Sequence, residues 1–525
     1  QPTLRQFNPS MFRSRFRSRN LFLIKRNFLY SGFWSVLTGV VASFMTALPG
    51  YAAEHITFSL GLLERSISIE SLEAFAIDGT VSPDLRLVLS FLDDTAEEDF
   101  RRALTQRNTL DVVAVAGSLY DPMIELSLRY IGNSIQTESG LNGQHALRAA
   151  FILSAAQPDG FTFLDIIRNY PTRALRINLD QVLANTRRVD RAFRETDGVI
   201  AGVETLASEA AEDESYLNLD GLPDATQPGP YTYTQETITL HDASRDRTYP
   251  VDLYIPDVET TGPDSIPVVI ISHGFGSQRS NFAFAAEHFA SHGFFVAVPE
   301  HIGSNKALQE AVLAGQASEF FYPEEFLDRP LDVTYLLDDL EQRNSTTWGD
   351  RLNLQQVAAL GHSFGGYTVL ALGGAVVDLD YLRSSCTWEN FEDFLNPALI
   401  LQCRALALEE SDPDMLQQLV TGVRDERIKA VIALNPVNRS IFGPQGLNDI
   451  EIPVVMLAGG YDVAAPVVPE QAFSFTQIAS AEKYMILIQG FSHTSTLSEE
   501  LDRILTPSLA PQELETLLQS LRSNG

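Results

Sequence analysis

A serine flanked by glycines is the first residue of this chain whose setting points to chemistry. Ser363 is the centre of a Gly-His-Ser-Phe-Gly motif at 361–365, after an apolar run at 357–360 and before a segment of small residues. A strand that turns sharply into a helix at such a motif presents the serine hydroxyl above the sheet edge, and the glycines leave room for the turn. The pattern therefore predicts a nucleophile elbow with Ser363 as the nucleophile.

Two further polar residues follow apolar runs later in the chain. Asp462 comes shortly after the run 452–459, and His493 comes shortly after the run 483–488. Serine, aspartate and histidine in this order at successive strand ends form a triad in which the histidine is the general base and the aspartate fixes its tautomer. We therefore predict Ser363, Asp462 and His493 as catalytic residues for acyl transfer.

The acid of this triad has weaker alternatives. The apolar strand before the one that leads to Asp462, at 430–434, ends in Asn-Pro-Val-Asn and offers no carboxylate. Asp449 and Asp425 are loop candidates that do not follow the right strand end. Asp462 is therefore the predicted acid.

A glycine-containing loop after an earlier strand predicts an oxyanion hole. The apolar run 267–271 leads into Ser-His-Gly-Phe-Gly at 272–276. One backbone N–H is expected from Phe364, which follows the nucleophile, and the other from Phe275 in this loop. We predict no metal and no cofactor, because the His288 and His292 pair lacks the glutamate of a zinc-protease motif and the sequence has no phosphate-binding glycine loop.

These motifs resemble those of a known family over about residues 235–500. The Ser-His-Gly-Phe-Gly loop, Gly-His-Ser-Phe-Gly-Gly at 361–366, Asp462 and His493 together are similar to the platelet-activating-factor acetylhydrolase and dienelactone-hydrolase-like branch of the α/β-hydrolases. Dienelactone hydrolases proper use a cysteine nucleophile where this chain has serine. The resemblance implies a metal-free serine esterase for short or modified acyl groups, acetylhydrolase-like on lipid esters.

Other functions stay open at this point. A broad carboxylesterase or polyester hydrolase uses the same residues, and so does a serine peptidase on the same fold. The complete set of triad and oxyanion-loop residues argues against a scaffolding protein with a vestigial hydrolase domain. The sequence does not identify the ester, so the predicted partner is a small-molecule ester substrate of unknown alcohol.

The order of apolar runs predicts the fold class around this site. Residues 237–240 and 249–254 alternate as an antiparallel pair, and helices are expected over 281–292 and 329–342. Strands that alternate with helices build a mostly parallel sheet with its ligand site at the carboxyl ends of the strands. Residues 235–525 are thus predicted to form an α/β domain with the α/β-hydrolase fold.

Two long insertions are predicted to shape the substrate pocket. Residues 300–328 and 374–425 interrupt the alternation, and insertions of this length are typical of lids or binding loops. The predicted pocket residues are His273 in the oxyanion loop, Phe320 in the first insertion and Trp388 in the second. His301 is expected to be a loop residue rather than a second base.

The compartment is predicted from the amino terminus and the cysteines. Basic residues precede an apolar stretch at 28–48, and small residues follow it, so residues 1–53 are expected to be a signal peptide or, alternatively, a membrane anchor through 28–48. The expected location is periplasmic or extracellular. In such an oxidising compartment Cys386 and Cys403, both in the second insertion, are expected to form a disulfide.

The remaining sequence predicts a second domain and a linker. Residues 54–190 are expected to be a mainly helical domain that opens with a hairpin, and they resemble the uncharacterised helical domain preceding predicted α/β-hydrolases of cyanobacteria. Residues 191–234, which are acidic and contain prolines, are expected to be a linker. The formal net charge of −31 disfavours nucleic acid as a partner.

Overall fold

The amino-terminal region combines helices with a small sheet. The computed structural model describes residues 52–90, 94–213, 224–259, 262–393 and 396–494, so the apolar stretch at 28–48 lies outside the described residues. The described strands are β1 (His55–Leu60), β2 (Leu63–Ser68), β3 (Ile135–Gln136) and β4 (Ala174–Asn178), in the order β2-β1-β4-β3. The helices are α1 (Ile69–Asp78), α2 (Pro83–Leu89), α3 (Asp94–Thr105), α4 (Val112–Ser118), α5 (Pro122–Ser134), α6 (Gln144–Ala155) and α7 (Phe163–Arg168).

A long helix, α8 (Leu179–Asp213), occupies the first half of the predicted linker. The physical reason is composition, because the alanines and glutamates of this stretch are good helix formers and its prolines come only after residue 213. The ring of Phe193 on α8 lies 6.0 Å from that of Tyr461, which precedes Asp462. This part of the connection therefore packs against the loop that carries the predicted acid.

The central sheet begins at residue 233. Its strands are β5 (Tyr233–Asp242), β6 (Arg247–Pro256), β7 (Ile266–Ser272), β8 (Phe295–Pro299), β9 (Leu352–His362), β10 (Ile428–Leu434), β11 (Val454–Gly459) and β12 (Lys483–Ile488), in the order β12-β11-β10-β9-β7-β8-β6-β5. Neighbours from β12 to β8 are parallel, and the β5–β6 and β6–β8 pairs are antiparallel. The loops after β7, β9, β11 and β12 consequently leave the same edge of the sheet.

Helices cover the sheet and fill the two insertions. They are α9 (Ala283–Ser291), α10 (Lys306–Leu313), α11 (Glu325–Arg343), α12 (Phe364–Leu372), α13 (Leu379–Ser385), α14 (Trp388–Asp393), α15 (Pro397–Cys403), α16 (Leu408–Ser411), α17 (Pro413–Thr421), α18 (Arg439–Asn448) and α19 (Phe473–Gln477). The first insertion holds α10 and the start of α11, and the second holds α13 to α17. Both insertions therefore contain helices, and the first one also has non-helical stretches on either side of α10.

Helix α11 shows how the sequence pattern becomes packing. Its residues Leu336, Leu337 and Leu340 are fully buried, as their helical spacing predicts. The helix begins at Glu325, earlier than predicted, although Pro330 lies inside it. A proline has no N–H for the carbonyl four residues before it, and the Tyr367 hydroxyl donates to that carbonyl, on Phe326, at 2.8 Å.

The described residues between Ala53 and Thr494 belong to one compact unit that contains separate hydrophobic clusters. One cluster lies between the central sheet and its helices, and another lies within the amino-terminal region. Within the described ranges, no helix is both long enough and apolar enough to cross a membrane.

Candidate active site

Ser363 occupies the turn between β9 and α12 in a backbone conformation that side chains rarely adopt. Its φ and ψ angles are 56° and −116°, and a residue held in such a conformation costs about 1–3 kcal/mol. Its N–H donates to the carbonyl of Leu434 at 2.9 Å and thereby ties the turn to β10. A Cβ on Gly361 would lie 2.0 Å from the carbonyl oxygen of Gly365. The sharp turn that the motif predicts is therefore formed, and it needs glycine at position 361.

Ser363, His493 and Asp462 lie in one hydrogen-bonded line. The Nε2 atom of His493 is 2.9 Å from Ser363 Oγ, and its Nδ1 atom is 2.7 Å from Asp462 Oδ2. Because a carboxylate only accepts, Nδ1 carries the proton and donates to Asp462. Nε2 is then the acceptor for the Ser363 hydroxyl, which is the arrangement that a general base needs. The structure thus brings together the three residues that the sequence predicted.

Asp462 is held rigidly by its own loop. Its Oδ1 atom accepts from the N–H groups of Ala464 and Ala465 at 2.9 and 2.7 Å, and its side chain is fully buried. The alternative acids lie elsewhere, since Asp425 pairs with an arginine two residues later and Asp449 is exposed at the end of α18. Asp462 is accordingly the one of these three carboxylates that contacts His493.

His493 is also anchored through its backbone. The Nε2–H of His362 donates to the His493 carbonyl at 2.8 Å, and the Asn435 side-chain amide donates to the same oxygen at 3.3 Å. Burial lowers the pKa of His362 to about 3, so its ring is neutral at ordinary pH. Sequence reasoning missed both donors. The signal for Asn435 was its position at the end of the strand beside the nucleophile.

The predicted oxyanion donors belong to two segments next to the serine. Phe275 lies in the loop after β7 and lines the cavity beside Ser363, and Phe364 is the first residue of α12. Within the described part of the chain, neither backbone N–H donates a hydrogen bond to another protein group. The first N–H groups of a helix have no partner inside the helix and carry a partial positive charge. Both groups are consequently available to a developing oxyanion.

A buried arginine holds the oxyanion loop in place, and sequence reasoning missed it. The guanidinium of Arg329 on α11 donates to the carbonyls of His273 and Gly274 at 2.6 and 3.4 Å. The same group is 3.4 Å from Glu325, and its side chain is fully buried. Burial lowers the pKa of Arg329 to about 10, so it stays charged at neutral pH. The sequence signal that could have identified Arg329 was the presence of charged residues on the otherwise apolar face of α11.

A second Ser-His-Asp line lies beneath this loop. His301 Nε2 is 3.0 Å from Ser272 Oγ, and its Nδ1 is 3.2 Å from Asp332 Oδ2. All three side chains are fully buried and none lines the cavity at Ser363. Burial lowers the pKa of His301, which keeps the ring neutral. This line joins the oxyanion loop to α11, whereas the Ser363 line opens onto space for a substrate.

A cavity of about 810 Å³ lies beside Ser363 and His493. Its volume falls within the range of small-molecule sites. Three parts of the chain contribute much of its wall: helix α5 of the amino-terminal region, the loop after β7 together with α10 of the first insertion, and α15 of the second. Aliphatic residues on its wall are Met123, Ile124, Ile400, Leu401 and Val437, and polar ones are Gln278, Asn281, Lys306 and Gln309.

The three residues predicted for the pocket do not line this cavity. His273 is buried beneath it, where its Nε2 accepts from the His301 N–H at 3.0 Å. The Phe320 N–H donates to Asp121 at 2.9 Å, and the Trp388 ring lies 3.9 Å from the Arg129 guanidinium. Both insertions therefore contact the amino-terminal region, through the Phe320 backbone and the Trp388 ring, and the sequence did not give the position of that region.

A disulfide closes the second insertion. It joins Cys386 to Cys403 with their Cα atoms 5.7 Å apart. Cys403 ends α15, whose residues 397–401 line the cavity. The bond therefore constrains one wall of the candidate site. No group of three or more His, Cys, Asp or Glu side chains in the described ranges is arranged to hold a metal ion.

Comparisons with known proteins agree with this fold. Residues 52–178 match a family described as "Alpha/beta hydrolase of unknown function (DUF1400)", and residues 267–376 match the family "alpha/beta hydrolase fold". A platelet-activating factor acetylhydrolase of Bos taurus is 29% identical over a stretch that covers 20% of this chain and 32% of that protein. The chain has the α/β-hydrolase fold. Its match spans about a third of the curated relative.

Proposed function

We propose that the protein is a serine esterase that hydrolyses carboxylic esters through an acyl-enzyme. Ser363 Oγ attacks the ester carbonyl carbon while His493 Nε2 takes its proton, and Asp462 stabilises the resulting imidazolium. The ester C–O bond breaks, and His493 gives the proton to the departing alcohol. Water, activated by the same histidine, then attacks the acyl-enzyme and releases the acid.

The tetrahedral intermediates carry a negative oxygen that needs donors. The Phe275 and Phe364 N–H groups are the proposed pair, and the start of α12 adds the partial positive charge of a helix N-terminus. Arg329 acts through the loop carbonyls that it binds, so it is a positioning residue. Neutral His362 fixes the backbone of the base without competing for its proton.

The observation that carries this proposal is the hydrogen-bonded line from Ser363 through His493 to Asp462 at the wall of a cavity. The test is covalent labelling with a fluorophosphonate, in which Ser363 Oγ displaces fluoride from phosphorus. We expect one adduct by intact mass in the parent and none in Ser363→Ala. The Ser363→Ala protein retains the buried Ser272 line, so an adduct in that variant would contradict the assignment of the nucleophile.

Substrate panels separate the esterase from the alternatives that use the same triad. We expect hydrolysis of p-nitrophenyl acetate and no hydrolysis of an aminoacyl p-nitroanilide, since an amide has a poorer leaving group. A polyester film distinguishes a polymer hydrolase from an enzyme for small esters. Preferential cleavage of the anilide would indicate a peptidase instead of an esterase. In Ser363→Ala, we expect the rate of ester hydrolysis to fall about 10⁴-fold.

We further propose that the enzyme acts outside the cytoplasm. The Cys386–Cys403 disulfide supports this location, because disulfides persist mainly in oxidising compartments. Intact-mass measurement of the protein isolated from its own compartment tests it. A chain that lacks two hydrogens supports the proposal, and two alkylatable thiols contradict it.

A further inference from the structure

Helix α5 of the amino-terminal region forms part of the wall around the candidate nucleophile. Met123, Ile124 and Ser127 on this helix line the same cavity as Ser363 and His493. Residues four apart on a helix share a face, so Met123 and Ser127 turn one side of α5 towards the cavity. The amino-terminal region, which contributes no residue to the proposed triad, therefore contributes directly to the site.

The start of α5 is fixed by one buried carboxylate. Asp121 Oδ1 accepts from the N–H groups of Met123 and Ile124 at 2.8 and 3.3 Å, which caps the helix. Its Oδ2 accepts from the Phe320 N–H at 2.9 Å. The same side chain thus begins the helix and joins it to the first insertion, close to the residues that line the cavity.

Further along, α5 is fastened to the second insertion. The Arg129 guanidinium lies 3.9 Å from the centre of the Trp388 ring, a cation–π contact. Met123 packs against the hydrophobic cluster of the central sheet, and Ile124 packs against the cluster of the amino-terminal region. Because α5 contacts both insertions and both hydrophobic clusters, its position beside the cavity is fixed by packing.

The cavity has two chemically different sides. The side formed by α5 and α15 carries aliphatic groups, namely Met123, Ile124, Ile400 and Leu401. The segment that follows the oxyanion loop and α10 contribute polar groups, among them Asn281, Lys306 and Gln309, next to Phe275 of the loop itself. An apolar wall favours a hydrocarbon group, because binding there removes apolar surface from water. Polar side chains are better partners for a polar part of the ester.

We propose that α5 selects the substrate: the natural ester has an aliphatic acyl group longer than acetyl, seated against Met123 and Ile124, and a polar alcohol on the side of Lys306. This inference rests on the proposed esterase function. A methionine at the wall is consistent with such a role, since its unbranched side chain adapts to irregular apolar groups. The amino-terminal region is then a specificity domain.

The test places a large side chain on this wall. Met123→Trp narrows the apolar side, so the ratio of kcat/KM for p-nitrophenyl octanoate to that for p-nitrophenyl acetate should fall by roughly 10-fold or more. Met415→Trp is the matched control, because Met415 is also partly buried against the central-sheet cluster but lies outside this cavity. That variant should leave the ratio of octanoate to acetate unchanged.

Labelling separates failure of this inference from failure of the esterase proposal. Fluorophosphonates with a short and a long alkyl chain report access to Ser363 without turnover. If Met123→Trp loses labelling by the long-chain reagent selectively, the proposed role of α5 is supported. If the variant is labelled by both reagents at the same relative rates as the parent, that role is overturned, even where the esterase proposal stands. A parent protein that neither reagent labels would overturn both. Met123→Ala should change the chain-length ratio in the opposite direction, which keeps the test valid if the tryptophan variant does not fold.

Discussion

Replacing Asp462 by asparagine tests the proposed triad most directly, because the structure dictates how the amide must sit. A carboxylate accepts at both oxygens, whereas an amide accepts at one end and donates at the other. Asp462 now faces two N–H donors, from Ala464 and Ala465, at 2.9 and 2.7 Å, and the His493 Nδ1–H at 2.7 Å. An asparagine that keeps its oxygen on the two backbone donors turns its NH₂ group towards His493.

That orientation reverses the tautomer of the base. Nδ1 must then accept from the amide, so the proton moves to Nε2, which can no longer take the Ser363 proton. The opposite orientation sets the NH₂ group against both backbone donors and loses their two hydrogen bonds, each worth about 1 kcal/mol. We expect kcat for p-nitrophenyl acetate to fall about 10⁴-fold, with the folded structure retained.

The assay compares kcat with thermal unfolding followed by circular dichroism. Asp449→Asn is the matched control, since it makes the same change at an exposed carboxylate at the end of α18, and it should keep kcat within about 2-fold. An Asp462→Asn enzyme with more than about a tenth of the parent kcat would refute the proposed role. So would an equal loss of kcat in both variants.

Four other outcomes follow from the geometry. Gly361→Ala should lower kcat about 100-fold or more, because its methyl group would lie 2.0 Å from a backbone oxygen, whereas Gly373→Ala meets its nearest atom, a side-chain carbon, at 3.1 Å and should keep activity. Arg329→Met should lower kcat more than it raises KM, because the oxyanion loop loses its buried donor, and equal changes would contradict the positioning role. Cys386→Ser should lower the free energy of unfolding in denaturant by about 3 kcal/mol, since the bond spans 17 residues; a value near zero would contradict this. The pKa of His362 is about 3 in the folded protein, below its ordinary value of 6.5. Between these pH values the unfolded chain binds more protons, so the free energy of unfolding falls as the pH falls from 6.5 to 3. His362→Gln should make this free energy less sensitive to pH in that range, and an unchanged pH dependence would contradict the prediction.

The sequence predicted the parts of the site that depend on local turns and strand order. Ser363, Asp462 and His493 each follow a strand of the parallel sheet, and the shared edge of such a sheet brings them together whatever lies on its faces. Phe275 and Phe364 follow from the same rule. The parallel sheet with its opening antiparallel pair was predicted correctly for this reason.

The parts that failed depend on contacts between distant segments. Phe320 and Trp388 were expected at the pocket, but the Phe320 N–H donates to Asp121 at the start of α5, and the Trp388 ring contacts Arg129 on α5, far away in sequence. Met123 could not be identified as a wall residue, because an apolar residue on a helix is ordinary core until its neighbour is known. The role of Arg329 could not be predicted for a related reason, because a charged side chain is buried only where the fold supplies its hydrogen-bond and ion-pair partners.

The distribution of the site along the chain has a consequence for biosynthesis. The amino-terminal wall is made first, the nucleophile later, and the base 130 residues after the nucleophile. A growing chain therefore lacks His493, the proposed general base, until almost all described residues have been synthesised, and the proposed nucleophile Ser363 has no base before then. Domains generally fold as units in the order of synthesis. The proposed acyl transfer therefore becomes possible only late in synthesis, after the wall formed by α5 has been made.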